Sequence, residues 1–207
     1  MTFPTTRPLQ KLFPQIRWNG PDHGLYLTFD DGPHSEATPR VLDALSAHRI
    51  RATFFLIGAN VKRLPGIARR IAGEGHVIGN HSFDHPLMIF RDEAFLRDQI
   101  LRARETIEDA VGLPCRYFRP PYGALGPAAY RIARENNQET VLWDIDSGDV
   151  HSADPQTVAR RCARLTRPGS ILLFHDNEQT KSGIGENLKR FLDLLPSDAR
   201  SFAVLPP

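Results

Sequence analysis

The 207-residue sequence predicts an α/β fold in which helices wrap a parallel sheet. Three observations predict it. Strand-like and helix-like patterns alternate about seven times along the chain. The strand-like runs, among them Leu25 to Phe29, Ala52 to Ile57 and Ser170 to Phe174, are almost continuously apolar, as strands covered on both faces are. Acids, histidines and an arginine gather where these runs end, which is the edge at which parallel α/β folds assemble their sites. Periodicity alone fits a barrel and an open sheet equally.

Met1 to Trp18 carries Pro4, Pro8 and Pro14 and reads as an arm. The first strand runs into Asp30 and is followed by a helix expected to start with Thr38 as cap and Pro39 at its first position, with Val41, Leu42 and Leu45 inward. Ala52 to Ile57 is the second strand, closed by Gly58. Leu64, Ile67, Ala68 and Ile71 mark a helix over Pro65 to Ala72, and Val77 to Gly79 is a short strand leading to Asn80 and His81. From Arg91 to Val111 the apolar stripe Phe95, Leu96, Ile100, Ala103, Ile107 predicts the clearest amphipathic helix, stopped by Gly112. Tyr117 and Phe118 form a strand before the rigid turn Arg119 to Gly123, and Pro127 to Glu135 is helical. Thr140 to Trp143 reads as a strand delivering Asp144, Asp146 and Asp149. Asp154 caps a helix over Pro155 to Leu165, Ser170 to Phe174 is a strand ending at His175, Glu186 to Leu195 is a helix, and Phe202 to Leu205 is the last strand.

With 41% hydrophobic and 24% charged residues the chain can bury one substantial core, so a single domain is expected. A formal charge of +2 without a basic run interleaved with aromatics argues against a nucleic-acid partner. Cys115 and Cys162 lack metal-type spacing and read as buried thiols. The N-terminus shows no apolar stretch with a small-residue cleavage site, and no window has the roughly 18 apolar residues of a membrane helix, so the expectation is a cytoplasmic chain.

Asp30 and Asp31 stand side by side at a strand end. Neighbouring residues on an extended chain point to opposite sides, so the two acids share a task only if the backbone turns there, and Gly32-Pro33 supplies a turn. Two carboxylates this close resist ionisation unless a cation or donors sit nearby. His81 and His85, four positions apart, offer two imidazoles to one ion from a helical turn or compact loop. Two imidazoles with one carboxylate make a three-ligand set that leaves a position open, the arrangement of catalytic zinc sites.

In Thr28-Phe29-Asp30-Asp31-Gly32-Pro33, His81-Ser82-Phe83-Asp84-His85, Arg119-Pro120-Pro121-Tyr122-Gly123, Asp146-Ser147-Gly148-Asp149-Val150 and Leu173-Phe174-His175-Asp176 the chain resembles, in order and over nearly its whole length, the five motifs of the polysaccharide deacetylase family, the NodB-homology domain of carbohydrate esterase family four. The resemblance implies a distorted (β/α)7-type barrel over residues 23–207, after an arm over 1–22, and metal-dependent removal of an acetyl group, N-acetyl above all, from a carbohydrate. It implies Asp31, His81 and His85 as ligands of a divalent metal, zinc first and cobalt or nickel as alternatives. It also implies Asp30 as general base, His175 as general acid supported by Asp149, Arg119 as the residue that orients Asp30, and the Tyr122 N–H as a donor to the oxyanion. Leu173 is implied as part of the acetyl-methyl pocket, with Trp143 and Pro121 as further substrate contacts. The chemistry agrees: zinc brings the pKa of a bound water to about 7, and a neighbouring carboxylate can accept its proton.

The fourth motif departs from the family pattern, having Val150 where Trp is usual, which bears on the recognition of long polymers. Single residues also have plain structural readings: Asp30 as a strand-end cap, Arg119 in an ion pair, His175 as a core histidine. His34 and His151 read as loop residues, and Phe54 and Phe55 as barrel packing. Two other functions stand beside the deacetylase: a carbohydrate-binding protein that no longer catalyses, supported only by Val150, and a cyclic-amide or related C–N hydrolase on the same fold.

Overall fold

The computed structural model describes residues 7–152, 154–195 and 201–206; the first six residues of the arm lie outside the described residues. The elements follow in the order α1 (Arg7–Leu12), β1 (Leu25–Asp30), α2 (Ala37–Ala47), β2 (Thr53–Leu56), α3 (Gly58–Arg63), α4 (Pro65–Gly73), β3 (Val77–Asn80), α5 (Glu93–Val111), β4 (Tyr117–Phe118), α6 (Pro127–Glu135), β5 (Glu139–Thr140), β6 (Ile145–Asp146), α7 (Pro155–Leu165), β7 (Ile171–His175), α8 (Ile184–Leu194) and β8 (Phe202–Ala203). Every strand pair is parallel, and seven strands run in the order β5-β4-β3-β2-β1-β7-β6. The eighth, β8, pairs with β1 at Leu25 and Tyr26, ahead of the point where β2 begins.

The two edge strands sit at opposite ends of the sheet order, yet only residues 141–144 join them. A link that short reaches no more than about 17 Å, so the sheet must curl until its edges approach. The result is a curled half-barrel of the (β/α)7 type, which decides between barrel and open sheet. The arm lies along the seam: the Arg17 N–H donates to Thr140 O (3.0 Å) and the Leu142 N–H to Arg17 O (2.8 Å).

Alternation along each strand sorts side chains between two cores. Leu25, Leu27, Phe29, Phe54, Leu56, Leu172 and Phe174 belong to the core that also takes in α2, α7 and α8. Tyr26, Phe55, Tyr117, Val141 and Ile171 fill the barrel. Phe29, fully buried, stacks between Phe54 (5.0 Å between ring centroids) and Phe174 (5.8 Å). Burying a side chain of this size contributes about 2 kcal/mol, so these rings fix the register of the three central strands. That register sets Asp30 level with both Phe55 and His175.

Local signals at several helix ends appear as expected. Asp154 accepts from the Gln156 and Thr157 N–H groups, and Gly112 stops α5 in the left-handed conformation. Elsewhere tertiary contacts prevail. Helix α2 starts at Ala37, and the ring Nδ1 of His34 accepts from the Glu36 and Ala37 N–H groups (3.1 Å each), so Thr38 is not the cap. Of the strand expected over Thr140 to Trp143 only Thr140 lies in a strand, at the end of β5, because the chain then leaves that sheet edge and joins the other one at β6. Gly58 does not simply close a strand but opens α3, where a Cβ would meet Phe83 Cδ2 at 2.7 Å and Ala103 Cα at 2.9 Å. Among the described residues no helix is long and apolar enough to cross a membrane.

Candidate active site at the C-terminal ends of the strands

Asp30 ends β1 with its side chain inside the barrel and 2% exposed. Arg119, fully buried just after β4, donates to Asp30 Oδ1 through Nη1 (2.7 Å). It is held in turn by Thr28 Oγ1 (2.8 Å) and by the carbonyls of Val141 and Leu142 (3.2 Å each). The guanidinium lies 4.0 Å over the Phe55 ring, with Trp143 on it at 5.5 Å. Phe55 has room because Gly79 faces it: a Cβ there would come within 2.5 Å of the ring. A buried charge is tolerated only when paired and hydrogen-bonded, and Arg119 is both.

Asp31 departs from the strand direction through a left-handed backbone (φ 79°). The Asn60 side chain donates to its carbonyl (2.8 Å), and the Ile57 N–H donates to Gly32 O (2.9 Å). Gly32 is required here, since a Cβ would overlap both carboxylate oxygens of the buried Asp176. Thr38 Oγ1 donates to that carboxylate, and burial pushes the Asp176 pKa far up. Asp31 Oδ2 accepts from Asn177 Nδ2 (2.8 Å), whereas Asp31 Oδ1 is buried without a hydrogen-bond partner.

That orphaned oxygen faces the histidines of the second motif. His81 follows β3, and its Nδ1 donates to Arg119 O (2.7 Å). A carbonyl only accepts, so the proton sits on Nδ1 and the Nε2 lone pair is free, 3.6 Å from Asp31 Oδ1 and 3.6 Å from Asp30 Oδ2. His85 Nε2 is 3.1 Å from Asp31 Oδ1. Its backbone is left-handed (φ 58°), like that of Ser82 (φ 65°), and its N–H donates to Ser82 Oγ (3.1 Å). Between the two histidines Asp84 turns away, exchanging hydrogen bonds with Gln99 of α5 (2.9 and 3.0 Å). One ligand atom each from Asp31, His81 and His85 fall within 4.8 Å of one another, and among the described residues no other group of three His, Cys, Asp or Glu does so.

This donor set fits a divalent cation. It offers one carboxylate and two imidazoles, a lone pair held ready by the Arg119 carbonyl, and a buried acceptor that makes no hydrogen bond and is approached by His85 and His81. Burial pushes the Asp31 carboxyl up, but His85, His81 and His175 outweigh it and hold it well below the usual range. Burial lowers the His81 pKa and so favours the neutral ring that a cation needs.

His175 ends β7 beside Asp30. Asp149 takes two of its donors: Nδ1 meets Oδ1 (2.8 Å) and the backbone N–H meets Oδ2 (2.8 Å). Burial alone would lower the His175 pKa; the bond and charge of Asp149, with Asp30 and Asp31 behind it, raise it to about 9. Asp146 instead accepts from the Gly148 N–H (2.8 Å), and Asp144 serves the sheet, binding the Ile171 N–H (2.7 Å) and Arg167 (2.9 Å).

Tyr122 is 64% exposed, left-handed (φ 60°), with its ring 4.7 Å from that of His85. The turn closes through the Gly123 and Ala124 N–H groups (3.0 and 3.1 Å) and not through that of Tyr122. Pro121 is buried in the same turn, and Trp143 packs over Gly123. Leu173, 3% exposed, faces inward two residues before His175. Asp30, Asp31, His81, His85, Arg119, Asp149 and His175 are thus gathered at one end of the barrel, Tyr122 is joined to them through His85, and Leu173 and Trp143 lie beneath and beside them. Sequence reasoning gave no part in the site to Asn177, Asn60, Thr28, Thr38 and Asp176. Thr28 and Asp176 stand inside the first and fifth motifs and Asn177 directly after the fifth, so these three carried a positional signal, and Asn60 and Thr38 did not.

Fold and site together define a (β/α) barrel with three donors that could hold a cation, a neighbouring buried acid and an acid-supported histidine at its strand ends. Residues 18–141 match the polysaccharide deacetylase family model, and the chain belongs to that family. It is 36% identical over 87% of its length to a peptidoglycan-N-acetylglucosamine deacetylase of Bacillus cereus and spans 66% of that protein; it spans 37% of a Listeria monocytogenes protein of the same activity. It is 34% identical over 88% of its length to a chitooligosaccharide deacetylase of Azorhizobium caulinodans, covering 91% of it. Its fold is similar to a crystal structure of the Bc1960 peptidoglycan N-acetylglucosamine deacetylase, with a TM-score of 0.90, 33% identity and coverage of 96% of this chain and 95% of that one.

Proposed function

We propose that this protein is a zinc-dependent hydrolase that removes N-acetyl groups from an amino-sugar glycan. The observation that carries the reading is the unsatisfied Asp31 Oδ1 facing His81 and His85 with Asp30 beside it. Asp31, His81 and His85 would hold the cation, whose contribution when bound is Lewis acidity toward the acetyl carbonyl and toward water. Relatives that deacetylate peptidoglycan and chitooligosaccharides support the substrate class.

The chain's own residues divide the remaining work. Arg119 occupies Asp30 Oδ1, leaving Oδ2, which lies on the His81 side, to accept the proton of the attacking water. The Tyr122 N–H, which does not close its own turn, would meet the oxyanion that develops on the acetyl oxygen. His175, kept charged by Asp149, gives its Nε2 proton to the departing amine, which leaves as the free amino sugar while acetate remains. Leu173 offers an apolar surface to the acetyl methyl, with Pro121 and Trp143 as further walls.

Purified protein should release acetate from N-acetylated chitooligosaccharides or peptidoglycan fragments, and metal analysis should find zinc. Asp30→Asn should lower the rate by about 10²- to 10⁴-fold while keeping its cation. An Asp30→Asn protein as fast as wild type removes Asp30 as base; no acetate from any N-acetylated glycan removes the function.

A further inference from the structure

Consecutive residues at the corner between β2 and α3 each bond to one of the two loops that carry the candidate cation ligands. Leu56 O accepts from the His81 N–H (2.9 Å), and the Ile57 N–H donates to Gly32 O (2.9 Å). The Gly58 and Ala59 N–H groups donate to Ser82 O and Phe83 O (3.0 and 2.9 Å), and Asn60 Nδ2 donates to Asp31 O (2.8 Å). None of the residues from Leu56 to Asn60 stands in the sequence motifs. We propose that this corner sets the spacing between the Asp31 carboxylate and the imidazoles of His81 and His85, with Asn60 as a positioning residue for Asp31. The inference rests on the cation site of the proposed function and adds to it the element that ties its two loops together.

Both loops need such a support. Asp31 (φ 79°), Ser82 (φ 65°) and His85 (φ 58°) all have left-handed backbone, which residues other than glycine keep only where their surroundings over-determine it. The bonds at Asp31 O and Gly32 O fix the two peptide planes that follow Asp31, and those at Ser82 O and Phe83 O fix two planes between the histidines. The donors are neighbours on one closed turn, in which the Asn60 and Val61 N–H groups donate to Ile57 O (2.9 and 3.0 Å). Neither loop can therefore move away from the other without breaking bonds to the corner.

Asn60 is held as firmly as what it holds. Its Oδ1 accepts from Arg63 Nη2, and since a guanidinium only donates and a carbonyl only accepts, the amide has one orientation. Behind it, Gly58 lies against Phe83 and Ala103 with no room for a Cβ, and the Arg102 guanidinium lies 3.6 Å over the Phe83 ring. A frame fixed before the cation arrives spares it the ordering of its own ligands.

Asn60→Ala tests this with all three ligands in place, and alanine suits a helix, so folding should survive. The metal-free full chain would be titrated with cobalt(II) against a chromophoric chelator, with no glycan present. Wild type should bind, and Asn60→Ala should bind about tenfold more weakly, the lower end of the effect of groups that orient metal ligands. Its metal-free Tm should stay within about 4 °C of wild type, the shift expected for one lost bond. Lys62→Ala, exposed on the same helix outside the corner, should bind as wild type does. Unchanged affinity in Asn60→Ala makes the bond structural only and overturns the proposal while the cation site stands. An equal loss in Lys62→Ala overturns it as well. A wild type that takes up no cobalt removes the cation site and the role of the corner with it. Acetate release gives the last arm: at saturating cobalt the Asn60→Ala rate should return to within a few-fold of wild type, and a rate that stays low would mean that Asn60 acts on the chemistry and not on ligand spacing, which overturns the proposal.

Discussion

The two halves of the site are built to opposite standards of satisfaction. On the β7 side, Asp149 spends both carboxylate oxygens on His175, one on the ring and one on the backbone, and the pair is complete within the protein. On the β1 and β3 side, Asp31 Oδ1 is buried with no hydrogen-bond partner, and left-handed non-glycine backbone occurs at Asp31, Ser82, His85 and Tyr122. Such residues cost about 1–3 kcal/mol each, and an unsatisfied buried acceptor costs a similar amount. The β1 and β3 half is therefore strained and incomplete without a cation, while the β7 half stands alone. Asp30 joins them: Arg119 holds one oxygen, and the other lies among the donors of the unfinished half.

The contrast breaks most severely at His81. In His81→Ala the open half loses an imidazole whose lone pair the Arg119 carbonyl had prepared. Acetate release should fall about 10³-fold or more, and metal analysis should find the protein depleted of its cation. A ligand that binds only the folded state stabilises it, so chelator should lower the wild-type Tm and leave that of His81→Ala unchanged. Equal chelator shifts in both proteins would mean that the cation sits elsewhere.

The closed half should respond in its pH dependence. His175 donates a proton only while charged, so its step is available below its pKa and lost as pH rises through it. With Asp149 present that pKa is raised to about 9. In Asp149→Asn the main raising influence is gone and burial continues to lower the value, so the alkaline limb should move to lower pH. At pH 8 the variant should be slower by about 10²-fold, within the usual range for a general acid, and at pH 6 the gap should narrow. A limb that stays in place would assign the acid role to another group. Cation content should be unchanged, which separates this half from the other.

Much of this was legible in the sequence because it depends on local or strictly periodic signals. Apolar runs reveal buried strands, Asp154-Pro155 and Gly112 mark helix ends, and the five motifs fall at strand ends in a fixed order. What the sequence concealed depends on contacts between distant segments. His34, and not Thr38, accepts from the N–H groups at the start of α2, and Thr38 is engaged instead with Asp176, 138 positions away. The break between β5 and β6 follows from closure of the sheet, which leaves no trace in the periodicity of residues 139–146. Phe55 appeared only as packing, and its part in supporting Arg119 depends on Gly79 facing it from the next strand.

Asn177 gives the finest test of the contrast, because it touches the open half through one bond. Its Nδ2 donates to Asp31 Oδ2 (2.8 Å) while its Oδ1 accepts from the Gln179 and Thr180 N–H groups (2.9 and 3.2 Å), so the side chain is anchored at one end and points the Asp31 carboxylate with the other. Removing it leaves all three ligands present but frees the Asp31 carboxylate to rotate. Loss of a partner that orients a ligand costs about 10- to 100-fold in metal affinity, so Asn177→Ala should bind zinc more weakly by that factor in a competition titration with a chromophoric chelator. At saturating zinc its rate should return to within a few-fold of wild type, a recovery that His81→Ala should not show. The alkaline limb should stay where His175 sets it, since the Asp149 pair is untouched. If the limb moved together with the affinity, the two halves would be electrostatically one unit and the division between them would fail.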